Sequence, residues 1–118
     1  MLSTITPERV YLACGSTDMR KSIDGLAALV STGFKLDPFS DAWFVFCNKG
    51  RDKLKILHWD TNGFWLYYRR LEKGRFEWPK TGQTHPIPIT RRQLYWLLDG
   101  LTLEQKQAHP AVTARIAA

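Results

Sequence analysis

Two groups of residues in this 118-residue chain have the types and spacing to do chemistry. The first is a string of cations, Lys49, Arg51, Lys53, Lys55, Arg69, Arg70, Lys73 and Arg75. It is interleaved with the rings of Trp43, Phe44, Phe46, Trp59, Phe64, Trp65, Tyr67, Tyr68, Phe76 and Trp78. The main acids of this stretch are Asp52, Asp60 and Glu72. Cations along twisted strands can neutralise successive phosphates while flat rings stack on bases, so the mix suits DNA. The competing expectation is that roughly two thirds of the rings fill the core, since strands this aromatic must bury most of their area. Two more cations, Arg20 and Lys21, follow Thr17-Asp18 at an expected helix start. There, backbone N–H groups and two positive charges would suit a phosphate. Alternatively, Asp18 already satisfies that helix end and Arg20 pairs with Asp24 four residues on. Arg91 and Arg92 open a second helix, an end that disfavours cations and so invites an anion or an acidic partner.

The second group is His58 and Asp60, which flank Trp59 and share a face if the segment is a strand. A His–Asp pair can orient general-base chemistry, but no nucleophile or third member accompanies it. A hydrolase or nuclease built on this pair needs an accessible cleft that holds both. No metal or cofactor is expected. The two cysteines, Cys14 and Cys47, lie in apolar runs without Cys-x-x-Cys spacing, and read as two buried thiols. Cys14-Gly15-Ser16-Thr17 lacks the remainder of a phosphate-cradling loop. No small-molecule substrate is implied.

The elements that must position these residues follow from periodicity. Arg9 to Ala13 reads as a short strand broken by Gly15. Met19, Ile23, Leu26, Ala27 and Val30 form an apolar stripe at helical spacing, which predicts a helix over 18–32. Leu36 to Asp41 is a loop holding Pro38. Ala42 to Cys47 is continuously apolar and predicts a strand buried on both faces. Lys53 to Asp60 alternates, with Leu54, Ile56 and His58 on one side. Asn62-Gly63 predicts a type I′ hairpin, after which Phe64 to Leu71 runs back. Arg75 to Trp78 predicts another short strand, ended by Pro79. Lys80 to His85 is a loop, and Pro86 to Ile89 an edge strand, where proline is tolerated. Thr90 and Gln93 form a capping box for a helix buried through Leu94, Leu97, Leu98 and Leu101. Thr102 and Gln105 repeat that pattern. The fold class expected is α+β, an antiparallel meander of four or more strands with one N-terminal helix packed on it and a C-terminal helix.

Residues 1–118 read as one domain, with a core over 9–101 and a frayed alanine-rich tail over 110–118. Lys and Arg number 17 against 11 Asp and Glu, a net charge of +6, so polyanions are favoured partners. The N-terminus lacks a basic start and a sustained apolar stretch, and no run suits a bilayer. The cytoplasm is the expected location, with no membrane partner.

Several stretches together resemble one family. Gly15-Ser16-Thr17-Asp18-Met19-Arg20-Lys21 with Gly25-Leu26 is similar to its N-terminal signature. Phe44-Val45-Phe46-Cys47-Asn48-Lys49, Arg51-Asp52, Trp59-Asp60, Gly63-Phe64-Trp65-Leu66, Arg69-Arg70-Leu71-Glu72 and Trp78-Pro79 are similar to its centre. Gln93-Leu94, Leu97-Leu98 and Gly100 resemble its end. The family is the TnpB accessory protein of insertion sequences of the IS66 group, distinct from the RNA-guided nuclease that shares the name. The resemblance implies a non-catalytic role in transposition beside a separate transposase, TnpC, which carries the acidic catalytic residues. It carries no site residue onto this chain. DNA at the transposon ends and the TnpC-type transposase are the partners expected. The alternative is an adaptor that docks on the transposase without DNA contact. The DNA-contact candidates are Arg20, Lys21, Lys49, Arg51, Lys53, Lys55, Arg69, Arg70, Lys73 and Arg75.

Overall fold

The computed structural model describes residues 9–79 and 86–100. The loop at 80–85, the second capping pattern at Thr102–Gln105, Leu101 and the tail lie outside the described residues. The architecture is α+β, with one mixed five-stranded sheet and two helices. The strands are β1 (Val10–Leu12), β2 (Trp43–Cys47), β3 (Lys53–Asp60), β4 (Gly63–Arg70) and β5 (Ile87–Ile89), in the order β4-β3-β2-β1-β5. The helices are α1 (Ile23–Ala28) and α2 (Arg91–Leu98).

The central strands follow the expected pattern. All five residues of β2 are buried, because it has a neighbour on each side and an apolar layer on each face. One layer gathers Val10, Leu12, Trp43, Val45, Leu54 and Ile56 with Leu94 and Leu97 of α2. The other gathers Phe44, Phe46 and Leu57 with Leu26 of α1 and Val30 beyond it. The two helices therefore cover opposite faces. Every buried Leu, Val or Phe of these layers contributes roughly 1.5–3 kcal/mol by leaving water.

The meander is a correction. β2, β3 and β4 run antiparallel in sequence, but β1 pairs parallel with β2, and β5 pairs antiparallel with β1. A parallel pair needs a long crossover, and residues 13–42 supply it through α1. The N-terminal helix is also shorter than its apolar stripe. It opens at Ile23 behind Ser22, which makes no side-chain cap, and runs six residues. A π-helical turn, Leu29–Gly33, continues it.

The hairpin turn is displaced from Asn62-Gly63. Asp60 pairs with Gly63, so Thr61 and Asn62 form the loop, and the positive φ falls on Thr61 at 56°. A turn centred on Asn62-Gly63 would shift β4 by two residues. The observed register instead sets Trp59 opposite Phe64 and Leu57 opposite Leu66. Cross-strand apolar pairing outweighs the local turn preference. Asp60 secures the turn by accepting from Thr61 Oγ1 at 3.1 Å and Trp65 Nε1 at 3.3 Å.

Arg75 to Trp78 forms no strand. Its exposed–buried alternation comes from Phe76 and Trp78 reaching into the core without a ladder partner. Phe76 N–H donates to Arg51 O at 2.7 Å. Trp78 Nε1 donates to Ala13 O at 3.1 Å and Gly15 O at 3.0 Å, which pins the segment beside the end of β1.

Candidate nucleic-acid interface

Strand direction decides where the cations go. β1 and β2 run together, and β3 starts where β2 ends. The turn after β2, the start of β3, the end of β4 and the exit of β1 therefore share one end of the sheet. That end carries Lys49 and Arg51 on the turn, Lys53 and Lys55 on β3, Arg69 and Arg70 on β4, and Lys73 and Arg75 on the segment behind it. Thr17 N–H donates to Cys47 O at 2.8 Å, which brings the loop bearing Arg20 and Lys21 to the same end.

Asn48 builds the turn. Its Oδ1 accepts from the backbone N–H groups of Asp52 and Lys53, both at 3.0 Å, and its Nδ2 donates to Asp52 Oδ1 at 2.8 Å. Of these bonds, the one from Nδ2 contributes most to drawing the Asp52 pKa down. Together they hold Arg51 in left-handed backbone, φ 61°. Arg51 lines two adjoining shallow grooves, one shared with Lys49 and Trp78, the other with Glu72, Arg75 and Glu77. The sequence reading assigned neither Asn48 nor Trp78 a role of its own in the site. The Asn at the head of a five-residue turn was the available signal for the first.

The cations differ in what they are free to do. Arg20 is clamped by Asp18, with Nη2 to Oδ2 at 2.8 Å and its backbone N–H to Oδ1 at 2.9 Å. That clamp draws the Asp18 pKa down to about 2. Arg20 does not pair with Asp24, and it precedes α1 rather than opening it. The expected phosphate position at the helix start therefore lacks its geometry. Arg70 pairs with Glu72 at 3.0 Å, and Lys53 with Asp52 at 3.6 Å. Lys55 is a strut. Its Nζ donates to Met19 O at 2.8 Å and Lys21 O at 2.9 Å, tying the loop before α1 to the sheet. Among the described residues, Lys21, Lys49, Arg51, Arg69, Lys73 and Arg75 make no ion pair. All of these are exposed except Arg51, which is half-buried.

The opposite end of the sheet is different. Asp37, Asp41 and Asp60 gather there, Arg9 pairs with Asp41 at 2.9 Å, and Phe39, Trp59 and Phe64 form a nest of rings with centroids 5.0–5.4 Å apart. Arg91 and Arg92 open α2 at that end, and Arg92 lies over Trp96.

His58 and Asp60 do not share a cleft. His58 is buried against Trp43, ring centroids 4.8 Å apart, and burial pushes its pKa down against the pull of Asp60. Asp60 is exposed and engaged with the hairpin. The two cysteines form no disulfide. Cys47 is buried, with its pKa pushed up to about 11 by desolvation. Cys14 is only half-buried, because β1 has ended before it and the chain is turning away at Gly15. Among the described residues there is no cluster of three metal-ligating side chains, and no helix long and apolar enough to cross a membrane.

Two curated proteins are similar along most of the chain. The uncharacterized proteins y4hO and y4jC of Sinorhizobium fredii (strain NBRC 101917 / NGR234) are each 37% identical to it. The first similarity covers 84% of this chain and 85% of y4hO, the second 83% of this chain and 86% of y4jC. No solved structure matches the chain. The family model for the IS66 Orf2-like protein matches residues 8–108. With the sheet, its cation-rich end and these similarities in place, the chain belongs to the IS66 Orf2-like family of insertion-sequence accessory proteins.

Proposed function

We propose that this chain is a cytoplasmic, non-catalytic accessory factor of insertion-sequence transposition that contacts DNA through the cation-rich end of its sheet. The observation that carries this reading is the convergence of Lys49, Arg51, Arg69, Lys73 and Arg75 on one end, with Lys21 beside them and none of the six in an ion pair among the described residues. Such an array meets phosphates and releases their counterions, a term with no sequence preference. Arg70 and Lys53 belong to the same surface, their acidic partners being exchangeable for phosphate because exposed pairs are weak. Arg20 sits at its margin, and Lys55 supports it from within.

Gel shifts with transposon-end DNA at low salt test the reading. Binding that weakens steeply as salt rises supports it, and no binding at about 50 mM salt removes it. Replacing Arg69, Arg70 and Arg75 together weakens binding to all sequences alike. The TnpC-type transposase is the protein partner. Co-purification that survives nuclease treatment would assign it a direct contact.

A further inference from the structure

The outer edge of β4 has no strand partner among the described residues, although the strand is eight residues long and contains neither proline nor lysine. Edges of this length are normally blunted, because their unpaired N–H and C=O groups template another strand. β5, at the opposite edge, is blunted by its three-residue length and by Pro88. The sequence of β4 is also polar along its length. Rings run from its start to its middle, as Phe64, Trp65, Tyr67 and Tyr68, and cations close it, as Arg69 and Arg70.

From these features we infer that β4 pairs antiparallel with β4 of a second copy, about a two-fold axis through Tyr67. Two identical strands in one continuous sheet are related by an axis normal to it, so residues facing each other must share a face. The register centred on Tyr67 meets that condition. It sets Trp65 opposite Arg69 of the other copy on one face, and Phe64 opposite Arg70 on the other. Each guanidinium then meets a ring, and no two cations oppose each other, in a chain whose net charge of +6 otherwise opposes self-association. Moving the centre to Leu66 leaves Arg69 opposite Gly63, which has no side chain to meet it. Parallel pairing in register would set Arg against Arg. This complementarity of the strand to itself is why the occupant is a second copy rather than an unrelated strand. Trp65 and Tyr68 are exposed, as a strand awaiting a neighbour requires. Pairing joins two sheets into one of ten strands and brings the β4 arginines of both copies beside the axis.

The test is sedimentation equilibrium of the full chain without DNA, so its outcome is independent of the proposed DNA contact. A concentration-dependent dimer is expected. Trp65→Arg places cation opposite cation and should weaken the dimer at least tenfold. Adding Arg69→Glu in the same chain restores an attractive pair across the axis and should recover it. Circular dichroism checks that each variant is folded. If Trp65→Arg fails to fold, amide exchange on the unaltered protein decides the question. Those β4 amides that do not bond to β3 should gain protection as concentration rises. A monomer at every concentration up to about 1 mM overturns the proposal. So does a dimer indifferent to Trp65→Arg, or one that the second substitution does not recover.

Discussion

The two ends of the sheet solve different problems with similar material. At the end where β2 passes into β3, polar side chains organise the turn and leave cations standing outside it. At the end where β3 passes into β4, aromatic side chains do most of the organising, and three aspartates lie nearby, one of them paired with Arg9. Rings are plentiful at both ends, but among the described residues the first gathers most of the cations that make no ion pair. The difference teaches that overall charge does not locate a polyanion site. Strand direction does, because it decides which turns come to lie side by side.

The largest expected effect tests that contrast directly. Changing Arg69, Lys73 and Arg75 to Glu should lower DNA affinity at least about a hundredfold at low salt, and flatten the log–log salt dependence by roughly 2.7, at 0.9 per lost phosphate contact. Changing Arg9, Arg91 and Arg92 at the opposite end to Glu alters net charge equally but should cost only about threefold, from long-range attraction alone. Equal losses from both sets would erase the distinction between the ends.

Next comes Lys55→Met, which separates a supporting cation from a contacting one. It strands the Met19 and Lys21 carbonyls and should cost about 1.5–3 kcal/mol in urea unfolding, with DNA affinity of the folded fraction changed about twofold or less. A large affinity loss without a stability loss would make Lys55 a DNA contact. Thr90→Ala removes half of the capping box, in which Thr90 Oγ1 accepts from Gln93 N–H at 3.0 Å and Gln93 Oε1 from Thr90 N–H at 2.9 Å. About 1 kcal/mol of stability should go, with DNA affinity unchanged.

The smallest effect is pH-linked. His58 is held neutral by burial, so its folded pKa lies below the unfolded value near 6.5. Its neutral form costs nothing above that pH, whereas below it the unfolded chain takes up the proton more readily. Stability should therefore fall as pH drops from about 6.5 toward the folded pKa. His58→Phe should reduce the loss in Tm between pH 7.5 and 5.5. An identical loss in that variant would place the titration elsewhere.

Local features were legible in the sequence where one segment determines its own fate. The apolar run 42–47 could only be a doubly covered strand, Pro88 marked an edge, and Thr90 with Gln93 specified a cap. What escaped depends on partners distant in sequence. β1 is inserted between β2 and β5, a position that no property of Val10–Leu12 encodes alone. Phe76 and Trp78 alternate like a strand but are held by ring burial and by carbonyls of the β1 exit. The ten candidate cations were read from turns, outward strand positions and an expected helix start, but their division into clamped, supporting and unpaired residues needed coordinates. The interface reading gains its shape from that division.

The insertion of β1 also sets an order of assembly. β2, β3 and β4 are joined by tight turns and can pair as soon as residue 70 is made. β1 can then dock beside β2, but its other edge stays open until Ile87–Ile89 emerge, more than seventy residues after Leu12. Contacts so far apart along a chain form slowly. A ribosome that stalls before that point would hold a sheet with raw margins on both sides, and this interval is when the nascent protein most needs protection from its neighbours.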